Sequence, residues 1–259
     1  MSNTIQRRIE GSVAILTLNR PDRYNSVTRE LAFALQEELD FCASDDAVRC
    51  VVLTGAGKGF CAGQDLSEAS DVENLDFEKL VEEHYNAIIR RMRQMEKPII
   101  AAVNGVAAGA GANIALAADI VLATESASFV QAFSKISLIP DSGGTFFLPR
   151  LVGLQRALAL AMTADKVMAT EAQAMGMVYK VFPDADFEKS WMEMAQRLGA
   201  MPTKALGLTK RLMNESFSNG LNAQLEQEMI VQAEAGRSAD FAEGVNAFLQ
   251  KRAPQFTGQ

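Results

Sequence analysis

The chain has 259 residues, of which 48% are hydrophobic and 22% charged. That length allows one large domain, or one domain with an appendage, and the composition excludes a disordered, collagen-like or low-complexity chain. The balance of 25 Lys and Arg against 32 Asp and Glu gives a net charge of −7. No basic footprint for nucleic acid exists at chain level, although a local basic patch for a small anionic ligand remains open.

Cysteine and targeting signals are equally bounding. Cys42, Cys50 and Cys61 are odd in number and lack CxxC spacing, which argues against a disulfide framework or a zinc site. They are expected as buried thiols in a reducing cytoplasm. The N-terminus, with Arg7, Arg8 and Glu10, has no apolar run of a secretory leader. Residues 98–118 are uncharged but carry Pro98, three glycines and many alanines. They read as a buried strand, a glycine turn and a helix start, not a membrane span.

In chain order, residues 13–18 form a short apolar run stopped by Asn19-Arg20-Pro21. From Thr28, Leu31, Leu35, Leu39 and Cys42 recur at helical spacing. Residues 50–54 read as a second strand, and Asp76 to Glu96 as a solvent-facing helix. Residues 98–103 and 120–123 read as two more strands. Alternating strands and helices predict an α/β layer architecture. Thr170-Glu171-Ala172-Gln173 is a capping-box pattern opening a short helix that Gly176 can close. Beyond Pro183, Gly199, Pro202, Gly220 and Gly236 divide the chain into about four helices. The expected organisation is an α/β core over 1–182 and a helical region over 183–259.

Several catalytic motifs fail on their residues. Gly109-Ala110-Gly111-Ala112-Asn113-Ile114 ends in Ile114, where a dinucleotide fingerprint needs Gly or Ala. Gly55-Ala56-Gly57-Lys58-Gly59 lacks the ending of a P-loop. Ser142 is preceded by Pro140 where a nucleophile elbow needs Gly. The single histidine, His84, lies between Glu83 and Tyr85 and reads as a solvated surface residue, so neither a Ser-His-Asp triad nor a catalytic metal is expected.

Three elements remain. Residues 59–66 and 104–113 are glycine-rich turns, each after a buried strand. Small side chains let a ligand approach the backbone, and the second turn runs into a helix start with free N–H groups. Both turns are also consistent with tight packing alone. The third element is Leu138-Ile139-Pro140-Asp141-Ser142-Gly143-Gly144-Thr145. A carboxylate among apolar neighbours is desolvated, its pKa rises, and it suits proton transfer. A turn or N-cap aspartate is the alternative reading.

Together these segments resemble the crotonase (enoyl-CoA hydratase/isomerase) superfamily. The resemblance rests on Leu18-Asn19-Arg20-Pro21, residues 60–66, Lys97-Pro98 through Asn104-Gly105, Ala118-Asp119-Ile120, and Ile139-Pro140 with Gly143-Gly144-Thr145. It implies a spiral of ββα units with a C-terminal helical trimerisation region, a homotrimer or a dimer of trimers, and a cytoplasmic acyl-CoA enzyme. It implies no metal and no separate cofactor, since coenzyme A is part of the substrate, and no nucleic-acid or membrane partner.

By the same resemblance, the N–H groups of Gln64 and Ala110 form an oxyanion hole and Asp141 is the catalytic carboxyl. Family hydratases carry two glutamates where this chain has Asn113 and Phe133, so a glutamate pair activating water is not expected. Arg23, Tyr24 and the stretch Ala62, Gly63, Gln64, Asp65 and Leu66 fall near the nucleotide and thioester, with Gly109 beside the hole. Phe133, with Phe146 and Phe147, is expected near the acyl group, and Lys251 and Phe256 near a neighbouring subunit's adenine site. The segments 107–112, 132–135 and 139–141 and the C-terminal residues are most similar to family isomerases. The implied reaction is rearrangement of a phenylacetyl-CoA ring epoxide to an oxepin, or a shift of an enoyl-CoA double bond from position 3 to 2. An aryl-CoA dehalogenase or hydrolase with Asp141 as nucleophile, and a homologue that binds acyl-CoA without chemistry, are the alternatives.

Overall fold

The computed structural model of the chain describes residues 3–68 and 76–259. β1 (Ile5–Glu10) and β2 (Val13–Leu18) form an antiparallel hairpin. β1 has no clear apolar alternation because it is the sheet edge, with only Ile5 buried. α1 (Arg29–Ser44) starts where the Thr28 side chain accepts a hydrogen bond from the Leu31 N–H, and it buries Leu31, Leu35, Leu39 and Cys42. Burying each leucine contributes about 1.5–3 kcal/mol. β3 (Cys50–Gly55) and β4 (Gly59–Cys61) follow, then α2 (Phe77–Leu80), a π-helical turn over Val81–Asn86, and α3 (Ala87–Gln94).

Next come β5 (Ile99–Val103), β6 (Val106–Ala108), α4 (Ala110–Leu116), β7 (Ile120–Thr124) and β8 (Ser128–Val130). The chain continues through α5 (Gly144–Val152), α6 (Leu154–Thr163), β9 (Lys166–Met168), α7 (Ala169–Ala174) and β10 (Lys180–Phe182). It ends in α8 (Phe187–Gly199), α9 (Thr203–Glu215), α10 (Leu221–Ala235) and α11 (Ala239–Leu249).

The strands form two sheets, ordered β1-β2-β3-β5-β7-β10 and β4-β6-β8-β9. Each long parallel strand of the first sheet is followed by a three-residue strand of the second: β3 by β4, β5 by β6, β7 by β8. This repetition is the ββα spiral. Residues of alternate parity line the two faces of the large sheet. Ala14, Leu16 and Leu18 of β2 face α1, while Val13 and Ile15 pack with Phe187, Trp191, Met194 and Ala195 of α8. The helix that follows residue 183 therefore covers the second face of the sheet, and packing is continuous across that position.

Two local readings need correction. The segment from Asp76 to Glu96 is helical, but it is not simply solvent-facing: His84, Tyr85, Ile88 and Met92 are buried. His84 is enclosed edge-on by Phe33 and Tyr85 rather than solvated, and burial holds its pKa below the usual value. The capping box at Thr170 does not form, because α7 already starts at Ala169 with Met168 at its cap. Gly176 does close that helix, at φ +87°. All three cysteines are free and buried. Among the described residues, no helix is long and apolar enough to cross a membrane.

Candidate active site

The two glycine turns lie against each other at the C-terminal ends of β4 and β6, which are parallel neighbours. Gly63, at φ +85°, comes so close that a Cβ there would stand 2.9 Å from the Ala108 carbonyl oxygen and 3.3 Å from the Ala110 nitrogen. A Cβ on Gly111 would stand 2.2 Å from the Cys61 carbonyl oxygen. Only glycine allows this approach.

The backbone around each turn leaves an N–H free to converge. The Val27 N–H donates to the Gly63 carbonyl and the Asp65 N–H donates to the Val27 carbonyl, both around the Val27–Gln64 bridge. This pattern turns the N–H of Gln64 itself away from Val27. Ala110 is the first residue of α4, so its N–H has no carbonyl within the helix to bond. Gly109 precedes it at φ +52°, with its own N–H on the Val130 carbonyl.

The Asp65 side chain anchors the first turn. Its carboxylate accepts from Arg20 Nη2 at 2.8 Å, Ser26 Oγ at 3.2 Å, and Ser67 Oγ and N at 2.6 and 3.1 Å. Those donors hold its pKa far below the usual range, the Ser67 hydroxyl contributing most. The side chain thus ties the turn to the 20–26 segment. Arg23 and Tyr24 are exposed beside the same turn. Tyr24 lies over Gly59, and its carbonyl accepts from the Ala62 N–H. Ala62 and Leu66 are exposed at the rim.

Asp141 reaches this place through α4. Asn113, one turn into the helix, is fully buried and donates from Nδ2 to the Asp141 carbonyl at 2.9 Å. Burial raises the pKa of the Asp141 carboxyl, against the Ser142 hydroxyl, which donates to it at 2.8 Å. Phe133 is buried with its ring edge 3.9 Å from the Cβ position of Gly109, beside the second glycine turn. The Phe147 ring packs on Gly143 of the Asp141 turn, where a Cβ would stand 2.5 Å from it, and Phe146 meets Phe147 edge-on. They line a cleft of about 940 Å³ between α3, α5 and α9, towards the C-terminal end of α4. Phe146 is covered by the Arg150 guanidinium.

Lys251 and Phe256 lie far from these turns within the chain. The Phe256 carbonyl is held by Arg49, just before β3, whereas the first glycine turn follows β3. Six strand residues separate the two ends, roughly 20 Å.

Sequence reasoning missed Tyr85. Its hydroxyl donates to Gln64 Oε1 at 2.5 Å, and its pKa is raised by burial and by the Asp141 charge. The only available signal was the break in helical period, because the π-helical turn rotates Tyr85 inward.

The chain belongs to the enoyl-CoA hydratase/isomerase family, which it matches over residues 8–259. It is 48% identical over 263 residues to the 1,2-epoxyphenylacetyl-CoA isomerase of Escherichia coli K12, covering 100% of both chains. It is 44% identical to a Rhodobacter capsulatus protein named a probable enoyl-CoA hydratase, covering 99% of each. Among solved structures it superposes on an enoyl-CoA hydratase from Bacillus anthracis with a TM-score of 0.93 at 32% identity, over 99% and 100% of the chains.

Proposed function

We propose that the chain is an acyl-CoA isomerase in which Gln64 and Ala110 N–H groups polarise the thioester carbonyl and Asp141 moves the proton. The N–H pair stabilises the enolate formed when Asp141 takes a proton from C2. The same carboxyl, now protonated, returns a proton at C4, so the double bond moves from position 3 to 2 with no net change in atoms. A ring epoxide of phenylacetyl-CoA is the second substrate proposed, on the similarity to the Escherichia coli isomerase, with Asp141 assisting opening and rearrangement. Arg23, Tyr24 and the backbone from Ala62 to Leu66 serve the CoA moiety. Lys251 and Phe256 serve the adenine of a neighbouring subunit, because their own turns are out of reach. No cofactor enters this scheme.

What supports the isomerase reading is that, of the three positions where the family carries acids, only Asp141 is a carboxyl here, its backbone tied to α4 by Asn113. Asn113 and Phe133 occupy the other two, and neither can transfer a proton. Burial also favours a carboxyl that exchanges protons over one that must stay ionised to attack as a nucleophile.

The test offers the wild-type chain a 3-enoyl-CoA and a 2-enoyl-CoA. The reading expects isomerisation of the first and hydration of the second near background, whereas robust hydration contradicts it. A halobenzoyl-CoA incubated with the chain in oxygen-18 water expects no halide release and no oxygen-18 in the Asp141 carboxyl. Halide release with oxygen-18 left in Asp141, where water has opened an aspartyl ester, places the chain with the nucleophilic alternative.

A further inference from the structure

We propose that Asn113 is a positioning residue for Asp141, acting through a buried amide pair with Gln131. This rests on the reading of Asp141 as the proton-transferring group. A carbonyl oxygen can only accept, so the Asn113 atom 2.9 Å from the Asp141 carbonyl is its nitrogen. The Asn113 oxygen then faces Gln131, whose Nε2 donates to it at 2.8 Å. Both side chains are buried, and Gln131 Oε1 is left with no partner. An unpaired buried acceptor is costly. What the Gln131 amide gains is the bond that fixes the orientation of Asn113.

That orientation matters because the Asp141 backbone makes a strained turn. Ser142 and Gly143 both have positive φ, +50° and +75°, and the Gly144 N–H closes the turn on the Asp141 carbonyl at 2.8 Å. Left-handed backbone is uncommon at a serine and persists where its surroundings hold it. Asn113 supplies the second donor on the same carbonyl. The backbone makes room for it: a Cβ on Gly144 would lie 2.2 Å from Asn113 Nδ2. With its carbonyl held by two donors and its carboxyl by the Ser142 hydroxyl, Asp141 is fixed at both its backbone and its side chain.

Asn113→Asp tests this without changing shape. At pH 8 the new carboxylate presents an oxygen to the Asp141 carbonyl and has nothing to donate. On acidification it gains a proton that can restore the bond. Burial and the neighbouring Asp141 carboxylate both push this proton's pKa up. Other titratable groups around α4 and Asp141 are the buried Cys61 thiol on β4, raised to about 11, the Tyr85 phenol, which feels the Asp141 charge, Arg93 of α3, which donates to the Ala117 carbonyl after α4, and the outward-facing Arg150 of α5; β5 and β6 have none. Lys135, four residues after Gln131, is exposed.

The measurement is kcat and KM against pH with a 3-enoyl-CoA, for wild type, Asn113→Asp, Asn113→Leu, Gln131→Leu and Asp141→Asn. Asn113→Asp is expected to lose about tenfold or more in kcat at pH 8 with little change in KM, and to recover as pH falls. Asn113→Leu loses kcat without recovery, and Gln131→Leu loses less. A wild-type profile for Asn113→Asp, or an equal loss at every pH, overturns the positioning role. If Asp141→Asn isomerises like wild type, the reading of Asp141 fails instead. If it is inactive while Asn113→Asp and Gln131→Leu match wild type, only the positioning role fails.

Discussion

Two carboxyls of the site are pushed in opposite directions, and each makes a prediction. Burial holds the Asp141 carboxyl above its usual range, so the folded chain keeps a proton that the unfolded chain has released. Stability from this group falls as pH rises from the unfolded carboxylate value, near 3.9, and stays reduced above the folded one. Asp141→Asn therefore melts higher than wild type at pH 7, by on the order of 2 °C, and the gap closes near pH 4; a calorimetric scan at both values checks this. Asp65 is the reverse case, held low by Ser67 and Arg20. Its contribution is present at neutral pH and is lost only as pH falls through the depressed value. Asp65→Ala takes from Arg20 its ion-pair partner, leaving it only Ser26, and takes from the turn its side-chain acceptor; it is expected to cost about 2–3 kcal/mol in denaturant unfolding, with a fall in kcat. The carboxylate at 141 was legible from its apolar flanks. The saturation of Asp65 was not, because Arg20 and Ser26 approach it from some forty residues earlier in the chain.

At the scale of elements, the sequence showed what repeats and hid what is short. α1 was readable from leucine spacing and β3, β5 and β7 from apolar runs. β4, β6 and β8 are three residues each and carry no period. Yet these short strands bring the two turns together. From the residues alone the turn pair was therefore visible as two separate glycine clusters, and only the family resemblance joined them into one site. Tyr85 and His84 were misplaced for a related reason, since a π-helical turn shifts which residues face inward. α9 is fixed to the core by Lys210, whose Nζ donates to the carbonyls of Met92 and Lys97 and pairs with Asp119 at 2.9 Å. Lys210→Ala leaves the largely buried Asp119 with Arg93 as its remaining ion-pair partner. A loss of about 3 kcal/mol is expected, measured as a lower urea midpoint.

At the scale of the whole molecule, the C-terminal helices leave large apolar side chains uncovered. Leu221, Met229, Phe248 and Leu249 are 74, 66, 83 and 72% exposed. Single exposed apolar residues are ordinary, but a run of them along α10 and α11 is not. We propose that copies of the chain cover them as a homotrimer or a dimer of trimers. Sedimentation equilibrium is expected to return the mass of three or six chains, and Leu221→Glu with Met229→Glu is expected to lower it. A wild-type monomer at micromolar concentration contradicts this.

The central claim is that one carboxyl on a turn beside two free N–H groups performs the chemistry. Wild type and Asp141→Asn are therefore compared on a 3-enoyl-CoA in deuterated water, with product mass and absorbance followed together. The account predicts double-bond migration with solvent deuterium entering the wild-type product, and loss of turnover by on the order of a hundredfold or more in the variant. Migration by Asp141→Asn at the wild-type rate would contradict it.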